Sequence, residues 1–282
     1  MSTAVMTEKL EMTSVADTAL KISSRFWFAV TVIGQLAFAF VVASFYSLTA
    51  LRGDYHKWNF TNGYVPGFSM GNTAVVMHVA SAVIIMLAGA AQLVPQIRNR
   101  FPVFHRWNGR IYMLTALTLS VAGLYMTWFR GSVGDVSTHL GSTLNAVLIW
   151  LCGGIALRYA LARDFKTHRR WALRFFLVVS ASWFFRIGFF LSFLIFKGPF
   201  GFDPVTFRGP FLTFMSFAQF VIPLAVLEVY LRAQNQPGTV RRIAAAAMLF
   251  VLTLAMIAGL FAVAINRSLN LLKTCGRMAC IS

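Results

Sequence analysis

Seven long apolar runs, separated by short polar and basic stretches, set the pattern of this chain. They lie at about residues 26–50, 74–94, 111–129, 140–161, 172–196, 211–231 and 243–265. Each is near the ~20 residues that an α-helix needs to cross a hydrocarbon core of ~30 Å. The runs are continuous and almost free of charge, whereas a membrane barrel would alternate apolar and polar positions with a period of two. The pattern predicts an all-α polytopic membrane protein of about seven transmembrane helices with a central four-helix bundle. A transmembrane domain is expected over 25–265, its histidine-bearing bundle over 73–196, between a cytoplasmic tail at 1–24 and a short outward tail at 266–282.

Composition sharpens this. Of the 282 residues 58% are apolar, which leaves little for a soluble catalytic domain and puts any chemistry among the helices. A formal charge of +17 would suit nucleic acid, but the basic residues gather in short connections. Lys21 and Arg25, Arg98 to Arg110, Arg158 to Arg174, and Arg232, Arg241 and Arg242 all fall on one side of the predicted spans. That is the positive-inside signature, attracted to anionic membrane lipid, and it argues against nucleic acid as a partner. It predicts a bacterial inner (plasma) membrane protein with a cytoplasmic N-terminus and an outward C-terminus. Residues 1–24 carry Glu8, Glu11 and Asp17 and no cleavable signal pattern. Cys275 and Cys280 are the only cysteines expected in an oxidising compartment, and no CxxCH motif points to covalent haem.

Helix starts can be placed as well. Pro102 suits the first turn of the third span, Asp135 or Ser137 a cap on the fourth, and Asp164 a cap on an inner extension of the fifth.

Four histidines carry the candidate chemistry. His78 is followed 27 residues later by His105-Arg-Trp-Asn-Gly-Arg110, and His139 is followed 29 residues later by His168-Arg-Arg-Trp-Ala-Leu-Arg174. This imperfect repeat gives two helical hairpins with a histidine near each end. Because neighbouring spans alternate in direction, His78 and His139 are expected near the outer surface and His105 and His168 near the inner one. Each level offers two imidazoles, which is how a helix bundle clamps a haem iron. Zinc is less well served, since no Cys, Asp or Glu stands beside either pair. Singly, each histidine also suits a packed or interfacial role; two pairs on alternate helices at matching depths favour metal. Small residues at three-to-four spacing, Gly109, Ala116, Ser120 and Gly123 with Tyr112 among them, leave room along the His105 face, though they also serve close helix packing.

Charge inside the fifth span adds Arg186, flanked by Trp183, Phe184, Phe185, Phe189 and Phe190. An unpaired charge there costs at least ~2.5 kcal/mol. It shares the helical face of His168 about 27 Å further along the axis, the height of the outer histidines, where it suits a haem propionate or a polar network. Arg110 and Arg174 are candidates for inner propionates or a quinol head group, most of the basic residues being topology anchors. Trp58, Trp107 and Trp171 are expected at the interfaces. His56 lies in the outer connection, outside the constellation.

The segment Phe104-His105-Arg-Trp-Asn-Gly109-Arg110-Ile-Tyr112, a later Gly123-Leu124, and His168-Arg-Arg-Trp171-Ala-Leu-Arg174 followed by Arg186 resemble the bacterial family called domain of unknown function 2306, over roughly residues 75–190. Ala172 stands where that family commonly has methionine. The family name implies topology and no agreed activity. In architecture alone the pattern is similar to the cytochrome b561-like transmembrane oxidoreductases, whose four-helix core holds two b haems. Carried onto this chain, that likeness implies His78 and His139 as outer iron ligands and His105 and His168 as inner ones. The expected function is transmembrane electron transfer through about two non-covalent b-type haems. A quinol or small redox donor would feed it, with a protein redox partner or membrane subunit beside it. The alternative is a membrane transporter or an accessory structural subunit without haem, with Arg186, Asn145, Gln219 and Pro223 lining a polar path.

Overall fold

The computed structural model describes residues 3–58, 64–130, 134–236 and 238–279, and within these the side chains of 12–265. Its elements are α1 (Thr3–Leu51), α2 (Ser69–Leu93), α3 (Pro95–Arg100), α4 (Pro102–Trp128), α5 (Val136–Leu161), α6 (Phe165–Val179), α7 (Ala181–Phe196), α8 (Pro210–Asn235) and α9 (Thr239–Ala279), with one 3₁₀ turn at Tyr55–Lys57. Six of them, α1, α2, α4, α5, α8 and α9, are long and apolar enough to cross a membrane. α6 and α7 together make a seventh candidate span, bent by 52°. The chain is thus an all-α polytopic membrane protein of six or seven apolar helices.

Local chemistry explains the boundaries. Pro102 opens α4, where its missing N–H costs no helical bond. Asp135 caps α5 through a reciprocal box: Oδ1 accepts the Thr138 N–H at 2.9 Å, and the Asp135 N–H donates to Thr138 Oγ1 at 2.9 Å. Asp164 caps α6 by accepting the Thr167 N–H at 3.1 Å. The Thr138 backbone N–H holds the Asp135 carboxyl below the usual carboxylate range, and the Thr167 side chain and backbone N–H do the same for Asp164.

Where the sequence predicts one straight span at 172–196, the structure breaks it at Ser180. The Ser180 N–H still reaches Phe176 O at 3.0 Å, but Trp183 N–H bonds Ser180 O at 2.9 Å, a tightened three-residue turn. Off the helix, the Ser180 hydroxyl accepts from buried Gln35 Nε2 at 3.0 Å.

By contacts the chain forms two compact units. One comprises Met1–Thr31, Phe184–Phe200 and Ala225–Ser282. In it the first turns of α1 belong to the helix that continues into the first span, because Ala16, Leu20, Ser23 and Thr31 recur on one buried face. Leu20 joins Ala233, Ala245, Ala246 and Leu249 in a core, and Asp17 meets Arg242 at 2.8 Å.

The other unit comprises Val32–Trp183 and Gly201–Leu224. In it α2 packs along α4, α5 along α6, and α4 also touches α5. Their shared core draws Ile85 and Ala88 from α2, Tyr112 and Ala116 from α4, Ile149 and Cys152 from α5, and Phe175 and Val178 from α6. Lipid is as apolar as this core, so close packing and hydrogen bonds hold it together. Gly141 shows how close: a Cβ there would stand 2.8 Å from the Ser216 backbone oxygen. Trp58, expected at the interface, is 7% exposed instead, its indole N–H donating to Thr49 Oγ1 at 2.7 Å.

Candidate functional site

Three of the four histidines hold the same place in their helices. His105, His139 and His168 are the fourth residues of α4, α5 and α6. Their backbone N–H groups close the first turn onto Phe101 O, Asp135 O and Asp164 O at 3.0, 3.0 and 2.9 Å. Only an uncharged imidazole has the lone pair that ligates a metal.

His105 and His168 come together by register. Seven residues beyond them stand Tyr112 and Phe175, whose rings meet edge to face with centroids 5.3 Å apart. Seven residues are about two turns, so both histidines share the face of that contact and lie ~10.5 Å from it towards the basic end. Each is within electrostatic reach of the other.

Their anchoring differs. His168 Nδ1 lies 2.8 Å from Ala156 O of α5. A carbonyl only accepts, so in the neutral ring Nδ1 carries the proton and Nε2 keeps the lone pair. His105 is fixed through its backbone: Gln92 Nε2 donates to its carbonyl at 2.9 Å while Asn108 Nδ2 donates to Ala88 O at 2.9 Å, stitching the start of α4 to the end of α2. The His105 Nδ1 is buried without a hydrogen-bond partner among the described residues. So is the hydroxyl of Tyr112, a residue 5% exposed. Helical side chains lean towards the N-terminus of their helix, which aims that hydroxyl back towards the histidines. Each of these orphaned polar atoms costs ~1–3 kcal/mol if left unsatisfied.

At the far end both remaining histidines lean on α4. His78 Nδ1 lies 3.1 Å from Leu119 O, and its ring edge lies against Gly123, where a Cβ would approach to 3.3 Å. His139 packs edge-on against Trp128, centroids 5.5 Å apart. The Trp128 indole donates to Thr143 Oγ1 at 2.9 Å, and that hydroxyl donates to His139 O at 2.8 Å. The two points of contact on α4 differ by five to nine residues, or roughly 8–14 Å of rise.

Small residues of the His105 face, expected to leave room, are packed instead. Gly109 faces Gln92, Ala116 is fully buried, Ser120 Oγ accepts the Trp150 indole N–H at 2.7 Å, and Gly123 meets His78. Here the helix-packing reading holds, because neighbouring helices supply side chains that fill the notches.

Arg110 and Arg174 repeat one another. Each guanidinium lies over the indole three residues earlier, Trp107 at 4.8 Å and Trp171 at 4.9 Å. Arg174 also donates to Arg170 O at 3.1 Å. Arg186 is an exposed residue of α7 in the first unit, while the four histidines belong to the second. Of the polar-path residues, Asn145 keeps a buried, unpartnered Oδ1, whereas Gln219 donates its amide to Ser216 O at 2.7 Å.

Sequence reasoning passed over Arg130. It ends an apolar run and resembles a boundary charge, yet it is 9% exposed and donates to Asn72 Oδ1 at 3.0 Å under the ring of Phe68. Asn72 in turn ties Val65 with two bonds of 3.0 and 2.9 Å. Only the glycine before Asn72 hints at this: a Cβ on Gly71 would collide with the Arg130 guanidinium.

Among the described residues no three of His, Cys, Asp and Glu converge as a metal ion would require. Long apolar helices, intrahelical polar caps and histidines at helix ends define the class: a polytopic α-helical membrane protein. Within that class the chain belongs to the family described as "Predicted membrane protein (DUF2306)", matching it over residues 75–222. The match takes in all four histidines and extends past α7 into α8. No curated protein and no solved structure matches the chain.

Proposed function

We propose that this protein is a transmembrane electron carrier that holds a b-type haem between His105 and His168, and a second between His78 and His139. The observation that carries the reading is the common register of His105 and His168 on the face of the Tyr112–Phe175 contact, with the His105 Nδ1 and the Tyr112 hydroxyl both buried without a partner among the described residues. A bis-imidazole haem asks for two ligands of equal depth, neutral and oriented; the residues at the basic end fit that demand. When bound, the haem supplies a one-electron iron couple, and no general base is needed.

The chain's own residues do the positioning. Ala156 O, accepting a hydrogen bond from the Nδ1–H of His168, fixes the tautomer and ring orientation that leave Nε2 free to ligate. Leu119 O does the same for His78, and Gly123 gives that ring its space. Tyr112 and Phe175 pack against each other on the membrane-centre side of the two histidines. Arg110 and Arg174, each stacked on a tryptophan of its own helix, supply cationic groups at the basic end suited to propionates or to the head group of a quinol donor. The staggered contacts of His78 and His139 make the far site the less prepared of the two.

The test is spectroscopic. Detergent-purified protein from haem-replete cells is expected to show a reduced-minus-oxidised b-type spectrum and about two haems per chain. His105→Ala and His168→Ala should each remove the same spectral component and leave the other. Protein without haem, or folded variants with unchanged spectra, would refute the assignment.

A further inference from the structure

At the basic end of the first unit, beyond the residues that match the family, α8 and α9 leave a cavity of about 320 Å³ lined by Val229, Arg232, Gln236 and Arg241. Two of its four lining residues are arginines. α9 opens Thr239-Val-Arg241-Arg242 with no acidic residue in its first turn, so two guanidiniums stand against the positive end of its dipole. Arg242 is compensated: it meets Asp17 at 2.8 Å, and its Nε donates to Ala233 O at 3.3 Å. Arg241 is steered instead to a neutral acceptor, Gln236 Oε1. Arg232 lies one turn before Gln236 on α8, and no carboxylate lines the cavity. An anion seated here would offset both the guanidinium repulsion and the dipole.

Adjoining surface says which kind of anion. Val229, 42% exposed, forms the cavity's carbon wall. Along α9 the exposed large apolar side chains include Val240, Ile243, Phe250 and Val251. A cationic seat that continues into exposed apolar helix fits a ligand with a charged head and hydrocarbon tails. A topology anchor needs only to stand at the interface, whereas these groups converge on a concavity and one is held there by Gln236.

We propose that Arg232, Gln236 and Arg241 bind the phosphate of an anionic phospholipid whose acyl chains lie along the exposed faces of α8 and α9. The full chain in detergent, mixed with phosphatidylglycerol, phosphatidylcholine or inorganic phosphate, would be followed by native mass spectrometry. Phosphatidylglycerol should be retained in preference to phosphatidylcholine, and millimolar inorganic phosphate should not displace it. The double variant Arg232→Gln/Arg241→Gln should weaken retention on the order of 30-fold, from ~1 kcal/mol per guanidinium. The double variant Arg100→Gln/Arg169→Gln removes as much charge from exposed positions elsewhere at the basic end and should bind as the parent does. Arg232→Lys/Arg241→Lys, which keeps the charge, should recover most of the binding. Equal losses in the two glutamine doubles, or displacement by inorganic phosphate, would overturn the proposal.

Discussion

Tyr112 concentrates the argument at the scale of single residues. Its hydroxyl is buried and unpartnered, an arrangement that costs ~1–3 kcal/mol unless a bound group or water answers it. Tyr112→Phe should therefore leave the melting temperature of ligand-free protein unchanged or raise it. In haem-loaded protein the same change should alter the midpoint potential of the component lost in His105→Ala and leave the other component alone. A large fall in the stability of ligand-free protein would show that the hydroxyl is satisfied within the fold. Singly, these residues were unevenly legible. The histidines stood out because titratable groups are rare within apolar runs. Tyr112 was visible only as one member of a small-residue face. Arg130 was missed because one charge at the end of a run has the same appearance whether it snorkels or folds inward, and its partner Asn72 lies 58 residues away.

Whole elements were legible where local chemistry fixes them. Pro102, Asp135 and Asp164 mark helix starts in the sequence, and the structure begins α4, α5 and α6 there. The break at Ser180 was not legible, since Phe176, Leu177, Val178 and Val179 continue an apolar helix and the partner of the Ser180 hydroxyl, Gln35, is 145 residues distant. Asp135 makes the element-scale prediction. Thr138 holds its folded carboxyl below the ordinary value, so its contribution is complete above the unfolded pKa of about 3.9 and is lost as pH falls through the lower folded value. Asp135→Ala should cost ~1 kcal/mol near neutrality. The gap between parent and variant melting temperatures should stay constant down to about pH 5 and close as the medium becomes more acid than the folded carboxyl tolerates. A gap that widened on acidification would contradict the capping role. His139 closes the first turn that this cap begins, so the variant should also disturb the far-end spectral component more than the one at the basic end.

The scale of the whole molecule turns on the bent pair α6–α7. Hydropathy predicts seven crossings, and the structure gives six unbroken candidates plus this one, bent by 52°. If the pair crosses, the count is odd and the termini lie on opposite sides; if it re-enters, the count is even and they share a side. Arginine distribution decides between these. Arg158, Arg163, Lys166, Arg169 and Arg170 flank the start of α6, and Arg232, Arg241 and Arg242 flank the connection from α8 to α9. Both groups belong on the cytoplasmic side, and α8 is a single crossing that ends there, so it must start on the other side. The chain that enters α6 at the basic face can reach that start only if α6 and α7 together cross. The predicted topology is therefore seven spans, with the N-terminus cytoplasmic and the C-terminus outward. A reporter active only outside the cytoplasm, fused after residue 282, should be active, and the same reporter fused in the 163–166 connection should be silent. Cytoplasmic location of both the C-terminus and the connection at 201–209 would mean that α6 and α7 fold back without crossing. That outcome would leave the register of His105 and His168 untouched, because their shared depth rests on Tyr112 and Phe175 rather than on where α7 ends.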